Sequence, residues 1–394
     1  MNSFNLRNIT DMIFGSEKEE RCADYIKHYG GTRVLIVHAG EPSALALVAR
    51  TRKNLEDAGL YCTELGGVAK NPQYTLGMKG AEICKTENLD FVLAVGGGNV
   101  IDTAKLIAFA AKYEGDPWKL YIEQKVENEK IYPILPIGAI STFAGTGSEM
   151  TESSIICKGD VKRCFAYILM KPKFCILNPE VTYAVPPFET ASGISDMFSH
   201  LIENFMSSSA ESDLADGMVT AGLRTVLKHA RIVMSDPENY QSRGELMIVA
   251  PMAIYGITNV GRSGDWAVHV LERALPVDWN IPSGAALAVL TPAWMRHIYK
   301  DHLDLFVKLA VQVFDIEADV DLEKTALEAI AATEHFLYDE LKLPRKLSEL
   351  GAADATEEKF RKSCQDIFAD GIKTIGNTHP LTEEDCFNIY MKCR

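Results

Sequence analysis

The sequence lacks most of the features that place a protein quickly. None of its nine cysteines forms a C-x-x-C pair, and thiols scattered so thinly over 394 residues make neither a disulfide framework nor a zinc knuckle. No apolar run reaches membrane-spanning length. The opening MNSFNLRNITDMIFG has no basic-then-apolar signal pattern. No membrane partner is therefore expected, and a cytoplasmic location is. Positive charge is scarce: 40 Lys and Arg against 54 Asp and Glu leave a formal net charge of −14. Nucleic acid and anionic surfaces are poor partners for such a chain. Internal repeats and low-complexity tracts are absent. Both of the commonest nucleotide motifs, G-x-G-x-x-G and G-x-x-x-x-G-K-[ST], are missing as well.

What is present is an ordinary soluble composition, 47% apolar and 24% charged, on a chain too long for one core. Two domains are the default. The first half alternates strand and helix signals. Arg33–Val37 (RVLIV) is a short apolar strand, and residues 44–60 carry Leu45, Val48, Leu55 and Leu60 at helical spacing. The apolar run Tyr132–Ile137 and the strand Phe174–Leu177 continue the series. Such alternation implies a parallel sheet with crossover helices, and ligands at the carboxyl ends of its strands. From Pro187 onward long helical patterns dominate, over 190–206, 214–234, 245–260, 264–275 and 324–341. The boundary is expected near Tyr183–Pro187, where Pro186-Pro187 favours extended chain. That gives an α/β domain over 1–184 and an all-helical domain over 185–394.

The most informative stretch is FVLAVGGGNVIDTAKLIAFAA, residues 91–111. A buried strand (Phe91 to Val95) runs into Gly96, Gly97 and Gly98, and a helix starts at once, with Val100, Ile101, Ala104 and Ala108 on its apolar face. Glycines let backbone N–H groups approach a phosphate, and a helix N-terminus adds partial positive charge. A tight strand-to-helix turn with no ligand is the alternative, but three adjacent glycines are costly for turning alone. A nucleotide or dinucleotide pyrophosphate is the expected ligand. A second loop, ISTFAGTGSEMTE from Ile140, interleaves Ser141, Thr142, Thr146 and Ser148 with Gly145 and Gly147 after a strand. Hydroxyls and glycine backbone can hold phosphate, ribose or an amide there, although a polar surface loop would look the same.

Asp196 and His200 lie four apart in GISDMFSHLIENF, on one helical face among apolar neighbours. One metal ion could touch both, but so could a plain hydrogen bond between them. His269, in GDWAVHVLERALP, would by itself be a core histidine.

Taken together these segments resemble the iron-containing alcohol dehydrogenase family, in its butanol-dehydrogenase-like branch. FNLRNITDMIFG, GGGNVIDTAK, STFAGTGSEMTESS, PKFCILNPE, TASGISDMFSHLIENF and GDWAVHVLERALPVDWNIPSGAALAVLTPAWM follow in the family order. The resemblance implies a Rossmann-like α/β dinucleotide-binding domain followed by an all-α domain, the fold shared with dehydroquinate synthase. It implies reversible hydride transfer between a nicotinamide cofactor and an alcohol–aldehyde pair, in a homodimer. Cofactor contacts are implied at Gly40, Asn71, Gly96, Gly97, Gly98, Asn99, Asp102, Ser141, Thr142, Thr146, Lys162 and Leu177. A divalent metal, iron or zinc, is implied at Asp196, His200 and His269, with His269 also in a catalytic role.

Two positions depart from the family pattern. The fourth metal histidine is Ser283, in Pro282-Ser283-Gly284, and a further histidine near the nicotinamide is Arg273. A neutral hydroxyl is a poor ligand, so three protein ligands remain, the usual number for a catalytic zinc. Arg273 cannot act as a base near neutral pH. Aimed at a dication from ~6 Å, it would repel the ion by about 5–6 kcal/mol at an effective dielectric of ~20. The expectation is an active enzyme with a three-ligand or absent metal, in which Arg273 polarises the carbonyl and favours an anionic substrate. The alternative is a silent nucleotide-binding relative. The turn HAGEPS after the first strand resembles the glycine-rich turn ending in serine of the family's NADP-preferring members, which implies NADP over NAD, although Glu41 opposes a 2′-phosphate.

Overall fold

The computed structural model describes residues 1–123, 131–207, 211–352, 354–369 and 371–394. The chain divides into two compact units, Arg7–Val185 and Pro186–Arg394, and Met1–Leu6 belongs with the second. The first is built on a parallel sheet of β1 (Asp11–Phe14), β2 (Arg33–Val37), β3 (Tyr61–Leu65), β4 (Phe91–Gly96), β5 (Ile137–Ser141) and β8 (Phe174–Leu177). A separate antiparallel hairpin pairs β6 (Ser153–Lys158) with β7 (Val161–Ala166). The helices of this unit are α1 (Cys22–His28), α2 (Pro42–Asp57), α3 (Tyr74–Thr86), α4 (Gly98–Ala110) and α5 (Pro117–Glu123).

The strand order is β1-β8-β5-β4-β2-β3. From β2 the chain steps outward to β3, then returns past β2 to β4 and continues the other way. The order therefore reverses between β2 and β4, which is where open α/β sheets bind ligands, beyond the strands' carboxyl ends. β4 is buried along its whole length, as a central parallel strand covered on both faces must be. Its Leu93 and Val95 pack with Val34 and Ile36 of β2 and with Leu47, Val48 and Leu55 of α2.

One expectation shifts here. The apolar run Tyr132–Ile137 is largely not a strand: β5 begins at Ile137. Pro133 and Pro136 have no N–H to donate, so pairing starts only after them. On α4, Asp102 and Lys105 do not face solvent. Both are buried, Lys105 completely.

The second unit contains no strand among its described residues. Its helices are α6 (Pro187–Phe205), α7 (Asp213–Ser235), α8 (Tyr240–Ile254), α9 (Ala267–Arg273), α10 (Ser283–Ile298), α11 (Leu303–Phe314), α12 (Leu322–Glu334), α13 (Glu357–Phe368) and α14 (Glu383–Lys392). α6 is buried from Thr190 to Phe205 and packs on α10, where Gly284 has no room for a side chain: a Cβ would sit 1.8 Å from the Ser192 carbonyl oxygen. No helix among the described residues is long and apolar enough to cross a membrane. All nine cysteines are free thiols.

Candidate active site

In the first unit the glycine turn sits at the carboxyl end of β4. A Cβ on Gly96 would lie 2.5 Å from Val100 Cγ2, and one on Gly98 would lie 2.3 Å from Thr146 Oγ1. Those two glycines are demanded by packing. Gly97 differs: its φ of −82° suits any residue, and its nearest neighbour would be Phe143 Cβ at 3.1 Å. Gly97 is the N-cap of α4, and no side chain caps that helix end. Val100 N and Ile101 N donate to the Gly97 carbonyl (3.0 and 3.1 Å), which leaves the N–H groups of Gly98 and Asn99 for an anion.

The sequence-derived cofactor residues are brought to one end of the sheet. Gly40 follows β2 with φ +89°, next to Gly67. Ser141 ends β5 opposite Gly96, and Leu177 ends β8 opposite Ser141. Thr142 donates its N–H to the Gly96 carbonyl (3.3 Å). Asn71 lies in the loop after β3, and the neighbouring Pro72 carbonyl accepts from Cys157 N, whose partner across the β6–β7 hairpin is Lys162. Asn99 occupies the exposed first turn of α4.

Asp102 has another task. Its carboxylate accepts from Ser148 Oγ (2.5 Å) and from Ile155 N (2.9 Å). Lys105 Nζ, with no exposure at all, donates to Ser148 O and Ser153 O, both at 2.7 Å. Burial pushes the Asp102 carboxyl up and the Lys105 amine down, each opposed by the other's charge. This buried pair bolts the hydroxyl-rich loop to α4. Burial also raises the Glu149 carboxyl, beside it in the same loop, to about 7.

The turn after β2 is more acidic than its small residues suggest. His38 is buried, its Nδ1 has no hydrogen-bond partner, and its Nε2 lies 3.7 Å from Glu64 Oε2 at the end of β3. Glu41 is exposed at the N-cap of α2. The β2 strand pattern pointed to this turn; the approach of Glu64 depends on the β2–β3 register.

In the second unit, Asp196 and His200 on α6 meet His269 on α9, and one ligand atom from each lies within 4.8 Å of the others. Asp196 Oδ1 is 3.7 Å from His200 Nδ1 and 3.8 Å from His269 Nε2, both too long for hydrogen bonds. The two rings stack at 4.3 Å. Neither His200 Nδ1 nor His269 Nε2, both buried, has a hydrogen-bond partner. Two orphaned imidazole nitrogens converging on a carboxylate are the donor set a divalent ion takes, so these residues fit one.

Glu203, completely buried on the same face of α6, completes the arrangement. It accepts from Val268 N (2.7 Å) and bonds His269 Nδ1, which in the neutral ring leaves Nε2 with its lone pair inward. Burial disfavours a charged His269, yet the Glu203 and Asp196 carboxylates outweigh it and hold the ring at about 9 without an ion. His200, pushed down by burial and by the neighbouring His269, falls to about 3. Glu203 was missed in the sequence, although its i+3 spacing from His200 marks the shared face.

Ser283 opens α10, and its hydroxyl donates to the buried Glu272 carboxylate (2.6 Å). Arg273, the last residue of α9, is half-buried, and its guanidinium has no hydrogen bond, ion pair or ring contact among the described residues.

A family model described as iron-containing alcohol dehydrogenase matches residues 10–179, and one described as the C-terminal part of the Fe-containing alcohol dehydrogenase family matches 190–393. The chain belongs to the iron-containing alcohol dehydrogenase family. As such it is an oxidoreductase of the alcohol–aldehyde class that uses a nicotinamide cofactor, and the silent alternative is not favoured. It is 36% identical over 392 residues to the probable NADH-dependent butanol dehydrogenase 1 of Bacillus subtilis, covering 99% of both chains. It is 35% identical to NADH-dependent butanol dehydrogenase A of Clostridium acetobutylicum, across 100% of both. The NADPH-dependent aldehyde reductase YqhD of Escherichia coli is 29% identical across 100% of both. Among solved structures, NADH-dependent butanol dehydrogenase A of Thermotoga maritima superposes with a TM-score of 0.92 at 28% identity, covering 100% of this chain and 99% of that one.

Proposed function

We propose that this enzyme reduces an aldehyde with NADH, using a metal held by three protein ligands. The observation that carries the reading is the convergence of His200 Nδ1 and His269 Nε2, both buried and unpartnered, on Asp196. When bound, the nicotinamide supplies the hydride and a divalent ion at these three residues supplies Lewis-acid polarisation of the carbonyl oxygen. The chain's residues do the rest. Gly97 and Asn99, at the uncapped start of α4, take the pyrophosphate, and Gly40, Asn71, Gly96, Gly98, Ser141, Thr142, Thr146, Lys162 and Leu177 complete the cradle. Asp102 acts at one remove, by holding the hydroxyl loop. Glu203 holds His269 in the tautomer a metal needs. The Arg273 guanidinium, a donor without a lone pair, attracts an anionic or strongly polar group on the substrate, and the alcohol's proton comes from solvent.

The small HAGEPS turn favoured NADP in the sequence. Glu41 and Glu64 around it weigh toward NADH, because carboxylates accept from a ribose diol and repel a 2′-phosphate. Residues 1–184 carry the dinucleotide role and 185–394 the metal and substrate role. A cytoplasmic homodimer completes the proposal, with the dimer checked by light scattering. The test of the reaction is absorbance at the reduced-nicotinamide band with purified protein, NADH or NADPH, and an aldehyde panel. Steady NADH oxidation is expected; tight nucleotide binding with no turnover on any aldehyde sinks the reading.

A further inference from the structure

Trp266 immediately precedes α9 with φ 68° and ψ 7°, the left-handed region. A bulky residue there is an outlier, and it persists only where its surroundings over-determine it. Here they do. The buried carboxylate of Asp265 accepts from Ala267 N (3.1 Å), Thr378 N (2.8 Å) and His379 N (3.4 Å). Asp265 N donates to the Glu203 carbonyl (2.9 Å), and Asn377 Nδ2 donates to the Gly264 carbonyl (2.7 Å). The chain on both sides of Trp266 is thus pinned, to α6 on one hand and to the 377–379 loop on the other. A Cβ on Gly264 would strike Asn204 Oδ1 at 2.6 Å, so this segment packs closely on α6.

The conformation puts the indole against both ligand histidines. Its ring lies 5.6 Å from His269 at 67° and 6.1 Å from His200 at 57°. The two histidines are held differently. His269 has the Glu203 bond. His200 makes no hydrogen bond among the described residues, and its nearest carboxylate oxygen is 3.7 Å away. A metal-binding imidazole ordinarily has an outer hydrogen-bond partner that fixes its ring. His200 has ring packing instead, with His269 stacked on it and Trp266 tilted against it.

We infer that Trp266, held left-handed by Asp265, is a positioning residue that orients His200 for the metal, in place of the missing hydrogen-bond partner. The inference rests on the proposed metal reading only for its consequence, not for the ring geometry.

The test compares Trp266→Gly with Trp266→Phe. Glycine is at home at this φ, so the backbone loses strain while the ring is removed; phenylalanine keeps a ring. Crystal structures of the metal-free proteins are expected to show His200 rotated off the 4.3 Å stack, or in two rotamers, in Trp266→Gly alone, with His269 still on Glu203. Cobalt(II) titration is expected to show at least a tenfold weaker dissociation constant for Trp266→Gly, and Trp266→Phe within threefold of wild type. An unmoved His200 ring in Trp266→Gly, or unchanged cobalt affinity, overturns the inference. Should the wild-type protein take up no cobalt, the metal reading falls, and the crystal structures still decide what Trp266 does.

Discussion

Ser283 Oγ donates to Glu272 Oε1 across 2.6 Å. The residue at the family's fourth ligand position is therefore committed to a buried acid one helix away and does not wait as a spare ligand. The same bond occupies the acid next to Arg273, whose guanidinium is left without a partner among the described residues. One departure from the family pattern thus removes a ligand, and the other places a positive charge without a partner among the described residues at the end of α9.

Metal affinity should accordingly be low. Wild-type protein purified without added metal is expected to carry less than one ion per chain. Ser283→His combined with Arg273→His is expected to tighten zinc or iron binding at least tenfold, by adding a ligand and removing like charge. Ser283→Ala should leave affinity unchanged while costing about 1–3 kcal/mol of stability, since a buried carboxylate loses a donor. Competition with a chelating dye reads the first effect, and urea unfolding the second. Stoichiometric metal surviving dialysis against chelator would refute the three-ligand account.

The three glycines should not behave alike. Gly97 has ordinary dihedrals and a single close neighbour, whereas a Cβ at Gly98 meets Thr146 Oγ1 at 2.3 Å. Gly97→Val is expected to fold normally and to weaken NADH binding by an order of magnitude or more, because the side chain stands where a pyrophosphate must approach the helix start. Gly98→Val should lose stability and expression instead. Calorimetric titration with NADH and thermal melts separate the two, and unaltered NADH affinity in Gly97→Val would remove the phosphate assignment.

How much of this was legible beforehand follows from the range of the interactions involved. β2, β4 and β8 announce themselves as unbroken apolar runs, because parallel strands are buried on both faces. β3 does not: Tyr61 and Glu64 are polar or exposed positions, and only its pairing with β2 makes YCTEL a strand. The β6–β7 hairpin has a sequence mark in Gly159-Asp160, where Gly159 takes φ +61° in the turn, but VKRCFA is too polar to announce itself as a strand. Asp196 and His200 were legible as a pair because four residues make one helical turn. His269 needed the family pattern. Trp266 could not be read at all, since its conformation is imposed by the 377–379 loop, more than a hundred residues downstream.

Stability should fall as pH rises through neutrality, on account of Glu149. In the folded chain this buried carboxyl holds its proton up to about pH 7, against an ordinary 4.5. The unfolded chain therefore binds fewer protons between those values, and its formation becomes easier as pH rises. The stabilisation is complete below about pH 4.5 and is lost by the time pH has passed 7. The difference amounts to about 3 kcal/mol at most, from the linkage of one carboxyl. Glu149→Gln is expected to flatten the decline in melting temperature between pH 5 and 8. A variant that tracks the wild-type slope across that window would assign the effect elsewhere.

Cofactor preference should follow the acids beyond β2 and β3. Glu64 also pairs with Arg52, Oε1 to NH1 at 3.1 Å. Removing Glu64 does two things at once: it deletes a negative charge beside the turn and leaves the Arg52 guanidinium with Glu56 as its remaining carboxylate partner. Glu41→Ser with Glu64→Gln is expected to shift the NADH-to-NADPH ratio of kcat/KM toward NADPH by about tenfold, roughly 1.4 kcal/mol of discrimination. Wild-type protein that already prefers NADPH would reverse the assignment and restore the reading of the small turn.

Substrate choice is the sharpest consequence of Arg273. It ends α9 one helical turn beyond His269, so both side chains project from the same helix face. A half-buried guanidinium without a partner among the described residues gains most from an anion, and a charged hydrogen bond in such a place is worth more than one on the surface. An aldehyde carrying a carboxylate should therefore be preferred over a plain aliphatic one. The comparison is kcat/KM for succinic semialdehyde and for butanal, in wild type and in Arg273→Ala. The variant is expected to lose roughly 2–4 kcal/mol of transition-state stabilisation with the acidic substrate and little with butanal. Because the loss is read as a difference between two substrates in one protein, a general weakening of the site cancels. Equal losses on both, or none, would discard the anionic substrate and leave short-chain aldehydes in its place.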